Sequence, residues 1–259
     1  MTEFENTTYS IDSFKKDTCI IIPTYNNEQS IGQIVERTLQ FPYTVIVIND
    51  GCTDGTAKIL QQFDGNIILI NKLKNRGKGN ALKSGLQKAH ELGFRYAITL
   101  DADGQHYPED IPHFLTEAQA HPDSLIVGSR ILQNKNMSKN STFANRFSNF
   151  WFYIQTGRYL PDTQTGYRLY PLKKMKCLRL LTAKYEAELE LLVFSSWHGI
   201  KLRPIPIRVY YPPCEERVSH FRPFTDFVRI SVLNTFLCIA ALIYGLPLRI
   251  YHTLRRTKR

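Results

Sequence analysis

The chain has 259 residues, 43% hydrophobic and 22% charged, which suits one large domain or a domain with an appendage and needs no covalent staples. The five cysteines (Cys19, Cys52, Cys177, Cys214 and Cys238) form no C-x-x-C pair and none stands at zinc spacing from a histidine, which argues for reduced thiols and against a disulfide framework or zinc site. The formal net charge of +10 is uneven: Arg249, Arg255, Arg256, Lys258 and Arg259 crowd the last segment without an acidic residue, a pattern that suits nucleic acid or anionic lipid headgroups.

Residues 1–17 carry Glu3, Glu5, Asp12 and Asp17 and no apolar core of a signal peptide, so the main domain is expected in the cytosol. Residues 18–22 are apolar and β-branched up to Pro23 and read as a buried strand. Ile31, Ile34, Val35 and Leu39 at helical spacing predict a helix over 28–40, followed by a second buried strand over 44–48. Asp54-Gly55-Thr56 opens a helix carrying Ala57, Ile59, Leu60 and Phe63, and a third strand follows over 67–70. A helix over 79–92 stops at Gly93, a suitable position just past a helix end. Residues 96–100 form the fourth strand. Strands alternating with helices imply a parallel sheet with right-handed crossovers.

Residues 107–120 read as a helix and 124–129 as a strand. The polar stretch 133–142 shows little periodicity, and loops of that length are usually functional or mobile. Residues 143–156 follow as an aromatic-rich helix with Phe147, Phe150, Trp151 and Ile154 on one side, then a helix over 185–197 and a strand over 201–210. Residues 230–248 are mostly apolar and bracketed by Arg229 and Arg249. A spanning helix needs about 20 apolar residues, so this one is barely long enough. A single crossing would also carry the basic tail outside, against the positive-inside tendency. A helix lying in the interface, or a re-entrant hairpin, keeps the charges on one side and is the expected arrangement. The division is a catalytic domain over 1–222 and a membrane-associated helix with basic tail over 223–259.

The chemistry gathers behind the strands. After the first comes Pro23-Thr24-Tyr25-Asn26-Asn27-Glu28, and after the second Asn49-Asp50-Gly51-Cys52-Thr53-Asp54-Gly55-Thr56. After the third comes Asn75-Arg76-Gly77-Lys78-Gly79-Asn80-Ala81, and after the fourth Asp101-Ala102-Asp103-Gly104-Gln105-His106. Four polar, Gly-rich or acidic turns on one sheet edge are where ligands of open α/β sheets bind. Tyr25 offers a flat face for a base, and Asp50 can accept from base or ribose. Asp54 serves either a ligand or its own helix start. Gly77 and Gly79 permit close backbone approach, while Lys78 and Lys83 miss Walker A spacing. Asp101 and Asp103 share a face and lack an obvious basic neighbour, so a divalent cation would relieve their repulsion. A solvated acidic turn is the plain alternative for this motif alone.

Together these motifs resemble family 2 glycosyltransferases with the GT-A fold, most closely the dolichol- or polyprenol-phosphate mannosyltransferase group. The resemblance continues through Gly128-Ser129-Arg130, residues 162–168 and Glu190 nine residues before Gly199, covering roughly 18–222. It implies a mainly parallel Rossmann-like α/β sheet flanked by helices, and a cytosolic, membrane-associated enzyme. It further implies that Pro23, Tyr25, Glu28, Asp50, Lys78, Asp101 and Asp103 bind the nucleotide sugar. Asp101, Asp103 and Gln105 would hold Mg²⁺ or Mn²⁺. Arg130, Arg146 and Arg217, with Ser219, would receive the acceptor phosphate, a role suited to bidentate guanidinium groups. Asp103, Arg130 and Arg217 are the implied catalytic set. The sequence departs from the family pattern at Asn49 (often Asp), at the extra Asn27 before Glu28, and at His220 (usually Lys).

The expected activity is inverting transfer of a hexose from a GDP-mannose- or UDP-glucose-type donor to a polyprenyl-phosphate-like lipid. A sugar-hydroxyl acceptor would instead require a carboxylate base, for which Asp162, Glu188 and Glu190 are candidates. A metal-dependent nucleotidyltransferase would show a Gly-rich basic loop after the first strand, which Pro23 to Glu28 is not. A nucleic-acid-binding role accounts for the charge but not for the apolar stretch beside it.

Overall fold

The computed structural model describes residues 11–130, 139–176, 180–211 and 223–257. Its strands are β1 (Thr18–Thr24), β2 (Thr44–Asn49), β3 (Ile68–Asn71), β4 (Tyr96–Thr99), β5 (Ser124–Arg130), β6 (Arg168–Pro171) and β7 (Lys201–Ile207). Its helices are α1 (Ile11–Lys16), α2 (Ile31–Leu39), α3 (Thr56–Gln61), α4 (Lys78–Glu91), α5 (Ile111–Ala120), α6 (Lys139–Thr156), α7 (Leu172–Met175), α8 (Glu186–Trp197), α9 (Pro223–Ala240) and α10 (Leu246–Thr257).

One sheet runs in the order β3-β2-β1-β4-β6-β5-β7. β1, β2, β3 and β4 are mutually parallel, as the alternating pattern predicts. β6 is the exception: it runs antiparallel to both β4 and β5, so the sheet is mixed. No strand is read there from sequence because a short run led by a charged Arg168 offers little apolar signal. Arg168 is nevertheless fully buried. Its guanidinium donates to the carbonyls of Thr165 (2.8 Å), Glu188 (2.7 Å) and Thr163 (3.0 Å), so the charge enters the core with its donors satisfied. β7 closes the sheet, and Pro204 and Pro206 within it fit an edge position, where a missing N–H costs little.

Strand side chains alternate between two cores. Ile20, Ile22, Val45, Val47 and Ile98 meet Ile34 and Val35 of α2, Leu60 of α3 and Phe114 of α5 on one face. Ile21, Ile46, Ile48 and Ala97 meet Leu82 of α4, and Leu192, Val193 and Trp197 of α8 extend that second core. α2 begins at Ile31 rather than at 28 because residues 27–30 form a turn, with Ile31 N–H donating to the Asn27 carbonyl (2.9 Å).

α6 starts inside the stretch that reads as polar loop; residues 131–138 lie outside the described residues. Its aromatic stripe faces outward only in part, since Phe147 and Trp151 are half-buried. Phe150, Tyr153 and Ile154 are each about half exposed, while Asn145, Ser148, Asn149, Phe152 and Gln155 face in. α9 and α10 form a nearly continuous rod joined by a π-helical turn, Ala241–Gly245. Pro247 lies just beyond that turn; it lacks an N–H and disturbs the ladder one turn back. The stretch Val228–Tyr251 is the one helix among the described residues long and apolar enough to cross a membrane.

This rod is two-faced. Leu233, Asn234 and Leu237 are buried, whereas Val232, Phe236, Ile239, Leu242 and Ile243 are exposed. Its inner side is fastened to α6 and α8. Gln155 Nε2 donates to Asn234 Oδ1 (2.9 Å), and Trp197 Nε1 donates to the Gln155 carbonyl (2.9 Å). Gly245 lies so close to the Trp197 ring that a Cβ there would fall 2.5 Å from it.

The close seat of α4 on the sheet gives a stability test. A Cβ at Gly85 would lie 2.5 Å from Ile21 Cγ2 and 2.9 Å from Ile48 Cδ1, both on β-branched side chains of central strands. Gly85→Val should lower stability by about 1–3 kcal/mol through overpacking, measured as the shift in chemical denaturation midpoint.

Candidate active site

In-register pairing sets Thr24 opposite Asn49 and Asn49 opposite Asn71, while Ile21 lies opposite Thr99. The turns after β1, β2, β3 and β4 therefore leave at one edge. β1 is flanked by β2 on one side and β4 on the other, so the crevice between them is the switch point where open α/β sheets take ligands.

The turns are laced together by charge-assisted hydrogen bonds. Asp50 is buried, and its Oδ2 accepts the N–H groups of Arg76 (3.1 Å) and Gly77 (2.8 Å), with Lys72 Nζ 3.4 Å from Oδ1. Glu28 Oε2 accepts the Gly55 N–H (2.7 Å), and Asp54 Oδ2 accepts the Glu28 N–H (3.2 Å). Asp54 Oδ1 also accepts the Thr56 N–H (3.0 Å) at the start of α3, so the helix-start role is present. Asn26 Oδ1 accepts the Thr53 N–H (2.8 Å), which fixes the backbone next to Tyr25. Asn49, where the family often has Asp, accepts the Cys52 N–H (2.9 Å) and donates to Asn71 (2.9 Å). Pro23 is buried within β1.

Asp101 departs from the expectation of a carboxylate without a basic neighbour. Lys78 Nζ lies 2.7 Å from Asp101 Oδ1 and 3.1 Å from Glu188 Oε1. Burial alone would lower the Lys78 ammonium, but the charges of Asp101 and Glu188 outweigh it and hold the group well above the ordinary lysine range. Burial would likewise raise Asp101, and Lys78, followed by His106, holds it below the carboxylate range. Sequence reasoning missed this cluster because Lys78 and Glu188 are remote in the chain and meet only through the packing of α4 on α8. Gly79 is the hint in hindsight: a Cβ there would lie 2.3 Å from Ala187 Cβ, so glycine lets the two helix starts approach.

Asp103 is different. Its Oδ1 accepts the Gln105 N–H (3.0 Å). Burial, then the neighbouring Asp101, pushes its carboxyl upward. Gln105 is held through its carbonyl, which accepts the Tyr210 N–H (2.8 Å). Among the described residues no group of three or more His, Cys, Asp or Glu side chains is placed to hold a metal by itself. The donor set instead fits a cation shared with a ligand: one crowded carboxylate and a nearby amide, with the rest supplied by diphosphate oxygens, is an ordinary Mg²⁺ environment.

Beside this lies Arg130, at the end of β5. Its Nε and Nη2 donate to Asp162 Oδ2 (2.7 Å) and Oδ1 (3.0 Å), and its own N–H donates to Oδ2 (3.2 Å). Asn145 Nδ2 (2.7 Å) and the Gln164 N–H (3.1 Å) complete the set around Asp162, which is fully buried. Burial would raise the Asp162 carboxyl; the Arg130 guanidinium and the backbone N–H groups overcome that and hold it low. Arg130 also feels the charge of Asp101, which places the two groups in one electrostatic neighbourhood. Arg146 sits on α6 with an exposed side chain. Arg217, Ser219 and His220 lie outside the described residues. Glu190 is buried and accepts from Leu181 N–H (2.5 Å), Thr182 N–H (2.8 Å) and the Thr182 hydroxyl (2.5 Å), fastening the segment before α8.

The family model described as Glycosyl transferase family 2 matches residues 19–177. The chain is 31% identical over 213 residues to the UDP-N-acetylglucosamine–dolichyl-phosphate N-acetylglucosaminyltransferase of Methanococcus voltae, covering 74% of this chain and 85% of the relative. It is 33% identical over 161 residues to the undecaprenyl-phosphate 4-deoxy-4-formamido-L-arabinose transferase of Proteus mirabilis, covering 58% of this chain and 48% of that one. Among solved structures, glucosyl-3-phosphoglycerate synthase from Mycobacterium tuberculosis, in complex with Mn²⁺, UDP-glucose and phosphoglyceric acid, matches with a TM-score of 0.60. That match covers 93% of this chain and 86% of the other at 15% identity, a likeness of fold.

The Arg130–Asp162 pair yields a prediction about stability and pH. Removing one partner of a buried pair strands the other charge, so Asp162→Ala should destabilise the protein by about 3–5 kcal/mol in chemical denaturation. The folded-state pKa of Asp162 is depressed, so its contribution is complete above the unfolded value of about 3.9 and is lost as pH falls through the folded value. The stability gap between wild type and Asp162→Asn should therefore be constant from neutrality to about pH 5 and shrink below that.

Proposed function

The chain belongs to the family 2 glycosyltransferases, and from that premise we propose that it transfers a sugar from a nucleotide diphosphate donor to the phosphate of a polyprenyl-type lipid, with inversion at the anomeric carbon. The observation that carries this reading is the acidic tip of β4, Asp101 to Gln105, set inside the ring of turns that follow β1, β2 and β3. Asp103 and Gln105 would hold Mg²⁺ or Mn²⁺ together with the diphosphate oxygens, where the ion offsets the charge that grows on the leaving group. Tyr25, with its neighbouring backbone fixed by Asn26, stands at the nucleotide end. Pro23, Glu28 and Asp50 keep that end of the crevice in shape.

In the transfer, an oxygen of the acceptor phosphate forms a bond to the sugar C1. The bond from C1 to the diphosphate oxygen breaks on the opposite face, and its electron pair leaves with the nucleoside diphosphate. A phosphate acceptor is already anionic, so positioning matters more than a base. The geometry favours it over a sugar hydroxyl. Each carboxylate read as a candidate base is committed elsewhere: Asp162 to Arg130, Glu188 to Lys78, and Glu190 to backbone N–H groups. Arg130 is the described cation nearest to an acceptor role. Its Nε and Nη2 are held by Asp162, which orients the guanidinium as a rigid unit.

The lipid acceptor implies work at a membrane surface, and the domain layout supports a catalytic unit with an interfacial helix. The rod of α9 and α10 keeps its inner face against α6 and α8, so the apolar outer face is what remains for lipid. Phe150, Tyr153 and Ile154 of α6 continue that face. A spanning helix would expose apolar surface all round; this one has an inner side bound to protein, which suits the interfacial plane at the cytosolic leaflet.

Two experiments test these readings. A donor panel (UDP-N-acetylglucosamine first, then UDP-glucose and GDP-mannose) with a polyprenyl phosphate should give nucleoside diphosphate release and a lipid-linked product. Asp103→Ala should cut that turnover at least about a hundredfold while circular dichroism stays unchanged; full activity in this variant removes the metal role. Replacing Ile154, Leu242 and Ile243 with Ser should shift the full chain from sedimenting with anionic vesicles to the supernatant, and unchanged co-sedimentation places the contact elsewhere.

A further inference from the structure

Lys78 stands out among the buried charged groups because the transfer step leaves it unused. It is the first residue of α4. Gly77 before it adopts φ +95°, a left-handed-side conformation suited to glycine, and its N–H is held by Asp50. Gly79 after it lets α4 press against Ala187 of α8. The lysine is thus placed from both sides, and its ammonium bridges Asp101 Oδ1 (2.7 Å) and Glu188 Oε1 (3.1 Å). All three side chains are largely shielded from solvent, at 21%, 17% and 10% exposure. The other oxygen of Asp101 is enclosed as well: a Cβ at Gly166 would fall 2.5 Å from Oδ2, so only glycine leaves the carboxylate its place. Of the two carboxylates behind β4, one already has a cation and the other, Asp103, has only a backbone N–H.

We propose that Lys78 is a built-in counter-ion for Asp101, a positioning residue that leaves Asp103 as the sole carboxylate for a divalent cation and so makes capture of that cation depend on a nucleoside diphosphate. The proposal rests on the donor-site reading above. The physical reason is the number of free donors. Lys78 occupies both Asp101 and Glu188, which leaves Asp103 as the carboxylate behind β4 without an ion pair, and one carboxylate beside an ammonium is too little for firm binding of a divalent ion on its own. The diphosphate supplies the missing oxygens and negative charge, so ion and donor enter together. Glu188 holds the ammonium on its far side and keeps it from swinging toward the diphosphate. The arrangement guards against an empty site that traps a metal ion without donor.

The test is direct Mn²⁺ binding to the full chain, read from the electron paramagnetic resonance signal of free Mn²⁺, with and without UDP or GDP. Wild type should bind Mn²⁺ weakly alone and at least about tenfold more tightly with one of the nucleotides. Lys78→Met should bind Mn²⁺ alone at least about tenfold more tightly than wild type, because removing a unit charge beside a divalent ion changes the interaction strongly at this range. Lys78→Arg, which keeps the charge, should stay close to wild type. A merely structural lysine predicts no gain in metal affinity, so unchanged or weaker Mn²⁺ binding by Lys78→Met with a wild-type melting curve overturns the proposal. A second arm covers the case in which that variant does not fold. Asp101→Asn should change Mn²⁺ affinity by less than about threefold, whereas Asp103→Asn abolishes it. Equal losses in the two also overturn it. No Mn²⁺ binding by wild type even with either nucleotide defeats the donor-site reading itself, an outcome separate from the failure of Lys78→Met alone.

Discussion

A buried charge must be paired or hydrogen-bonded, and this requirement shapes the whole rim of the sheet. Asp50 is held through Oδ2 by two backbone N–H groups and paired with Lys72 3.4 Å from Oδ1, Asp162 is satisfied by Arg130 and Asn145, and Glu190 by the backbone before α8. Lys78 serves Asp101 and Glu188 at once. Each pairing joins segments far apart in the chain, so the acidic and basic residues that read as ligands are also the fasteners of the crevice. Asp103 stands out by contrast. Its carboxyl is pushed up rather than down, because burial and Asp101 outweigh the opposing effects of His106, the Gln105 N–H and Lys78. Among the described carboxylates of this rim, it is one without an ion pair, beside the switch point of the sheet.

The parallel half of the fold was legible because its physics is local. Each strand from β1 to β4, the half-buried edge strand β3 included, is a short β-branched or apolar run closed by a polar turn, and α2 and α4 show one apolar stripe each. The common edge of the four turns followed from the alternation of strand and helix alone. The antiparallel strand β6 was not legible, since a short run headed by Arg168 looks like a loop until the carbonyls of Thr163, Thr165 and Glu188 surround the guanidinium. The face of α6 was also hard to read. Its inward side is largely polar (Asn145, Ser148, Asn149, Gln155), and Phe150 and Ile154 point outward, so half of the apolar stripe in sequence faces away from the core.

The residues of the crevice were visible, but their partners were not. Asp101, Asp103, Arg130 and Asp162 all stood in recognisable runs. Whether Lys78 meets Asp101 and Glu188 depends on how α4 and α8 approach, and that is set by the small residues Gly79 and Ala187. Charge spacing along the sequence carries no information about such an approach. The pairing of Lys78 with Asp101 therefore changes the chemical meaning of the acidic motif, from two equivalent carboxylates to one held in an ion pair and one without.

α6 ties the chemistry to the surface on which it is proposed to act. In its first half, Asn145 donates to Asp162 and so takes part in holding Arg130. Two turns later the same helix turns Phe150, Tyr153 and Ile154 outward and, through Gln155, fastens the inner face of the α9–α10 rod. A rigid helix rises about 1.5 Å per residue, so the distance from Asp162 to the apolar outer face is fixed by backbone geometry rather than by a flexible loop. On the proposed function, a lipid phosphate held at Arg130 with its hydrocarbon in the bilayer would need such a fixed offset. The inner side of α6 is polar, and burying it is costly unless its groups are satisfied. That polarity follows from the hydrogen bonds it carries, which lock the Arg130–Asp162 side of the crevice to the apolar outer surface.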